Sequence, residues 1–160
     1  MSRDGFFGWR KVVGAESLPK FKLGPLTTVE ANASFIQKGM QPPYDAGIRP
    51  RTIQLQNDKV LLRVYNEDKY AAGQWMLRPK EIEGLTPLQI QDKFALPATP
   101  TMLTEVHLPA GTYIRVGRVA AQDGWGAGGG FQYQSLDWLD EELFQNRQSL
   151  VPQAQHSRRP

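Results

Sequence analysis

The chain has 160 residues, 40% of them hydrophobic and 22% charged, which is one domain's length with enough apolar content for a core of its own. Fifteen glycines and 12 prolines point to short strands and many turns, and the lack of cysteine excludes disulfides and thiolate metal sites. No apolar run reaches the length of a membrane span or of a signal-peptide core, and a net charge of +3 gives only a weak pull toward nucleic acid or another polyanion.

In chain order, residues 1–26 show no sustained period and read as an extended lead-in with aromatic anchors at Phe6, Phe7 and Trp9. "TTVEANASFIQKGM" has a cap-like Thr, good helix formers and a Gly near its end, so one short helix is expected there. "QPPYDAGIRPRT" is a proline-rich connector. In "KVLLRVYNE" Val60, Leu62 and Val64 alternate with Leu61, Arg63 and Tyr65, the period of a strand. "GQWMLRP" reads as a second short strand. In "LTPLQIQDKFAL" Thr86 stands as N-cap, Pro87 in the first helical position and Gln89 completes a capping box. "TEVHLPAGTYIRVGRVA" holds two strand-like runs around a tight connection at residues 109–111, "GGFQYQSL" a last strand, and "DWLDEELFQ" a short closing helix. The expected organisation is a single domain. It has a lead-in over 1–58 packed on the core, a catalytic core over 59–146 and a mobile tail over 147–160.

The residue inventory disfavours several chemistries. His107 and His156 are the only histidines, no ligand-spaced cluster exists, and no serine stands in a nucleophile-elbow context. Metal sites are therefore not expected, and His107 reads as a strand-surface residue. "GWGAGGGFQYQ", residues 124–134, is the least ordinary stretch. Its glycines either let the backbone approach a ligand or form a loop between strands, and no Gly-Lys-Ser/Thr follows to make a P-loop. In the strand after it Phe131 and Tyr133 point one way and Gln132 and Gln134 the other, so core-facing aromatics leave Gln132 toward a cleft or water. Arg115 and Arg118 add to a phosphate-facing surface or are ordinary exposed strand arginines.

The order "VLLRVY", "GQWML", a helix ending "FALP", "EVHLPAGTYIRVGRVAA" and finally "GGGFQYQ" resembles the toxin domains related to the tuberculosis necrotizing toxin. These are NAD(P) glycohydrolases found at the C-termini of bacterial polymorphic and contact-dependent toxins. The resemblance covers about residues 60–144, and its most specific element is the Gly-Gly-Gly-x-Gln-Tyr signature. It implies an α+β fold of the ADP-ribosyltransferase-like or necrotizing-toxin-like kind, with a strongly bent antiparallel sheet and a few short peripheral helices. It also implies NAD(P)+ glycohydrolase activity, with NAD or NADP as substrate rather than cofactor and no metal. By the same resemblance Arg63 binds the pyrophosphate, Trp75 packs near the nicotinamide and Gln132 is needed for catalysis. Tyr65, Gly129, Gly130, Phe131, Arg115 and Arg118 are further substrate-binding positions. The chain departs from the family at two basic positions: the family histidine before the "EV" strand falls at Met102, and the basic residue near the "ALP" turn falls at Phe94, next to Lys93.

A proteinaceous immunity inhibitor is the partner this resemblance implies, with no membrane or nucleic-acid partner. The expected site of action is the cytoplasm of a target cell, reached through a secretion system or as part of a larger protein. Three alternatives stand beside this reading. A mono-ADP-ribosyltransferase would use the same dinucleotide, but it usually carries a glutamate where this chain has Gln132 and Gln134. A toxin ribonuclease would need a general acid and base. A binding module would use the glycine loop and aromatics without turnover.

Overall fold

The structure, a computed structural model, describes residues 19–150. The lead-in anchors Phe6, Phe7 and Trp9, and His156 of the tail, lie outside the described residues.

Both helices begin as their sequences predict. Helix α1, Thr28–Gln37, is opened by Thr27, whose hydroxyl accepts from the Glu30 amide at 3.0 Å while the Glu30 carboxylate accepts from the Thr27 amide at 2.8 Å. Helix α2, Pro87–Phe94, repeats the device with Thr86 and Gln89 at 2.8 and 3.2 Å. Each reciprocal pair satisfies amides that no helical carbonyl can reach, and Pro87 fits because its position needs no N–H.

Eight short strands follow the alternating and turn-bounded segments: β1 Gly24–Pro25, β2 Arg51–Gln54, β3 Lys59–Tyr65, β4 Trp75–Met76, β5 Met102–Leu108, β6 Tyr113–Arg118, β7 Phe131–Ser135 and β8 Phe144–Ser149. The architecture is α+β, with two antiparallel sheets and two short helices among the described residues. The larger sheet has the order β1-β2-β6-β7-β4 and the smaller the order β3-β5-β8. In place of one bent sheet, the two sheets meet at a single bridge. Leu62 and Leu77 exchange both backbone hydrogen bonds at 2.8 Å, so the chain leaving β4 in one sheet pairs at once with β3 in the other.

Two segments differ from expectation. The tight connection at 109–111 does not close a hairpin, because β5 pairs with β3 and β8 while β6 pairs with β2 and β7. Pro109 has no N–H to extend the ladder, and Gly111 turns the chain at φ +94 while its amide bonds to Leu55 O at 2.7 Å. The run therefore turns a corner between sheets. The expected closing helix is only a 3-10 turn, Glu141–Leu143, and Phe144 then starts β8 on the free edge of β5. Unpaired edge groups of β5 offset the weak strand preference of "FQNRQS", so the tail boundary placed at 146 falls inside a strand.

The core has two parts. Leu61, Tyr65, Met76, Val106, Leu108, Ile114, Tyr133 and Phe144 come from both sheets and pack together. Val64, Leu77, Ile90, Phe94 and Val119 gather round α2 on the other face of β3. The alternation in β3 thus feeds both clusters, and the full register from Lys59–Leu108 to Tyr65–Met102 fixes which residue serves which. No helix among the described residues is long and apolar enough to cross a membrane.

Candidate active site

A cleft of about 580 Å³ opens where β3, β4, β7, the end of α2 and the connector after α1 converge. Arg63, Tyr65, Trp75 and Gln132, four of the residues singled out in the sequence, share its wall. Its described lining contains no Asp, Glu or His, and Arg63 and Lys69 are its only cationic members.

Arg63 lies on the same face of β3 as Leu61 and Tyr65, and the loop to β4 folds over its guanidinium. Nε donates to Ala71 O at 2.8 Å and Nη1 to Trp75 O at 3.3 Å. Gly73 lies so close that a Cβ there would overlap the guanidinium, which gives that glycine a structural reason. Burial pulls the Arg63 pKa below its ordinary value, and no described carboxylate forms an ion pair with it. A desolvated guanidinium with N–H capacity left over and no described counter-charge has the chemistry suited to an anion.

Trp75 sits next to this arginine, with ring centroids 5.7 Å from Phe35 and 5.9 Å from Tyr44. Tyr65 lines the cleft but is buried, and it also belongs to the inter-sheet core.

Gln132 is held from the connector. Its Nε2 donates to Pro43 O at 3.0 Å, and a carbonyl can only accept, so the amide has one permitted orientation. Its Oε1 has no partner among the described residues and belongs to a side chain on the cleft wall. Pro43 O also accepts from Ala120 N at 2.9 Å. The connector is itself clamped by Asn32 of α1, whose amide exchanges bonds of 3.0 and 2.9 Å with the Tyr44 backbone. The "PPY" segment is thus a rigid rail on which a cleft side chain hangs.

The remaining candidates do not line the cleft. The glycine cluster is a junction rather than a ligand cradle. Gly128 N and Gly130 N donate to Asp92 O and Lys93 O at 2.9 and 3.2 Å, adding bonds to carbonyls in the last turn of α2. Gly129 N donates to Val119 O at 3.0 Å, and Gly128 and Gly129 have φ of +73 and +100. Phe131 N donates to Glu81 Oε1 at 3.0 Å. Arg115 Nε donates to Thr52 Oγ1 at 3.1 Å, and Arg118 pairs with Asp45 at 2.7 Å. Gly129, Gly130, Phe131, Arg115 and Arg118 do not line the cleft. Lys93 likewise turns to Glu81, donating to its carbonyl at 2.6 Å.

Sequence reasoning missed several cleft residues. Gln122 and Trp125, in the turn before the glycine cluster, both line the cleft, as do Phe35 and Met40 at the end of α1. Gln134, expected on the same side as Gln132, is buried in a chain of bonds: Tyr44 Oη donates to its Oε1 at 2.7 Å, and its Nε2 donates to Gln74 Oε1 at 3.1 Å. Burial raises the Tyr44 pKa, so this phenol stays protonated. His107 contacts Glu105 at 2.8 Å on the surface of β5, away from the cleft. Compared with known protein families, curated proteins and solved structures, the chain matches none.

Proposed function

We propose that this protein is an NAD(P)+ glycohydrolase of the necrotizing-toxin kind, acting as an effector by depleting the dinucleotide, and that the cleft is its active site. The observation that carries the reading is the pairing of a carboxylate-free, desolvated Arg63 with an outward amide oxygen on Gln132 in one cleft. A volume of about 580 Å³ falls in the range of small-molecule sites, roughly 300–1,000 Å³.

In this reading Arg63 holds the pyrophosphate by its free N–H groups, Trp75 offers a flat face beside it, and Gln132 meets the nicotinamide ribose. The C1′–N1 bond breaks with its electron pair passing to the ring nitrogen, so the pyridinium leaves as neutral nicotinamide. Water adds at C1′ and releases a proton, giving ADP-ribose. The leaving group needs no protonation, which agrees with a described lining free of Asp, Glu and His. Oε1 of Gln132 accepts from a ribose hydroxyl and lies near the developing positive charge, a fixed dipole stronger in the transition state than in the ground state.

Two features speak against the alternatives. Gln134, where a transferase's glutamate would be sought, is bonded to Tyr44 and Gln74. His107 and Glu105, a pair a ribonuclease would draw on, sit outside the cleft. The test is chromatography of NAD and NADP incubated with the purified protein, beside an RNA control. Stoichiometric nicotinamide and ADP-ribose (or its phosphorylated form) are expected with RNA intact. Degraded RNA with intact dinucleotides would reverse the assignment.

A further inference from the structure

We infer that Gln122 and Trp125 form the seat of the substrate's pyridinium ring and select its carboxamide over a carboxylate. This rests on the dinucleotide reading above and names the part of the substrate that the site discriminates.

Gln122 is 8% exposed and lies on the cleft wall. Its Nε2 donates to Pro42 O at 2.9 Å, which fixes the amide orientation, and its Oε1 is buried with no hydrogen-bond partner among the described residues. It is the one buried side-chain polar atom so found among them. A buried acceptor without a partner is costly, and one beside a cleft is suited to a ligand N–H or O–H. Gln122 and Gln132 hang from the carbonyls of consecutive residues, Pro42 and Pro43, whose Cα atoms are about 3.8 Å apart. Both glutamines are thus held by one short stretch of the connector, with Gln132 assigned to the ribose and Gln122 to the base attached to it.

Trp125 belongs to the same turn. Gln122 and Gly126 exchange backbone bonds at 3.0 and 3.1 Å, and Trp125 N donates to Gln122 O at 3.0 Å. Gly126 is pressed against Asp92, where a Cβ would meet backbone at 2.6 Å, so the turn is seated on α2. Trp125 is 40% exposed and lines the cleft. Met40, Phe94 and Leu96 also line the cleft, so its wall offers apolar and aromatic surface to a positively charged flat ring. The carboxamide supplies the N–H that Gln122 Oε1 lacks. Nicotinic acid at neutral pH offers only acceptors, and oxygen would face oxygen in a desolvated corner.

The experiment compares NAD with nicotinic acid adenine dinucleotide for release of the base. It also compares nicotinamide mononucleotide with nicotinic acid mononucleotide for equilibrium binding, in the wild type, Gln122→Leu and Gln122→Met. The wild type is expected to prefer the amide roughly 100-fold in both assays, and the variants to lose most of that ratio. A merely structural glutamine would weaken both members of each pair equally and leave the ratio unchanged, which would overturn the inference. Equal handling of amide and acid by the wild type would overturn it even if neither variant folds, as would binding of neither mononucleotide. A selective loss of nicotinamide hypoxanthine dinucleotide instead would move the oxygen to the adenine amino group and also overturn it. If the amide mononucleotide binds selectively but no nicotinamide is released from NAD, the hydrolytic reading fails while the recognition site stands.

Discussion

The cleft wall and the glycine junction are neighbours in sequence, with Gln132 two residues after Gly130, yet their polar groups behave oppositely. At residues 127–130 the amides bond to Asp92, Lys93 and Val119, so the stretch is satisfied within the fold. Gln132 and Gln122 each give their nitrogen to a proline carbonyl and keep an oxygen free of any described partner. The arginines divide the same way: Arg118 is neutralised by Asp45, whereas Arg63 is desolvated and bonded only to carbonyls. The difference teaches that a polar residue on a strand is a functional candidate when its bonding capacity is left open toward a cavity. A distinctive sequence can be entirely structural.

The largest test of that contrast is at the cleft. Gln132→Ala is expected to lower kcat for nicotinamide release roughly 100- to 1,000-fold with little change in melting temperature, the size of effect seen when one transition-state partner is removed. Arg63→Lys is expected to raise KM sharply, because an ammonium lacks the planar fork, and steady-state kinetics will separate the two effects. At the junction the balance reverses. Gly128→Ala is expected to cost about 3 kcal/mol in denaturant unfolding, since a left-handed φ is combined with a Cβ driven into Val119 O and the Ala120 backbone. Any folded fraction should keep an unchanged KM.

A smaller effect is expected at Tyr44→Phe, about 1 kcal/mol, because Gln134 loses its donor. This variant also carries a pH signature. The Tyr44 pKa is raised in the folded protein, so its contribution is complete below the unfolded value near 10 and is lost as pH rises from there toward the folded value. Wild-type stability should fall more steeply above about pH 10 than that of Tyr44→Phe, as read from unfolding curves. The smallest effect is expected at Arg118→Ala. Its ion pair with Asp45 is only half-buried, and stability should change by about 1 kcal/mol or less with turnover within about twofold.

Much of the frame was legible because its signals are local. Thr27 and Thr86 mark helix starts through bonds to residues three positions on, Pro87 by needing no N–H in the first helical position, and the alternation around Arg63 specifies a strand whatever it pairs with. Sheet membership was not legible. The corner at Pro109–Gly111 looks like a hairpin until β2 and β7 compete for β6, and β8 forms on the edge that β5 leaves open. At the site, Arg63, Tyr65, Trp75 and Gln132 do share one wall. Gln122 carried no signal, because its meaning lies in a carbonyl 80 residues away on Pro42. The glycine cluster misled for a related reason: its purpose, fitting against the end of α2, is invisible until the helix is in place.

The most direct measurement is the rate of nicotinamide release from NAD by four folded proteins side by side: wild type, Gln132→Ala, Arg63→Ala and Arg118→Ala. Rapid release by the wild type and Arg118→Ala, with loss in the other two, is the predicted result. Release unaffected by Gln132→Ala and Arg63→Ala, or none from the wild type with either NAD or NADP, would contradict the assignment of the cleft.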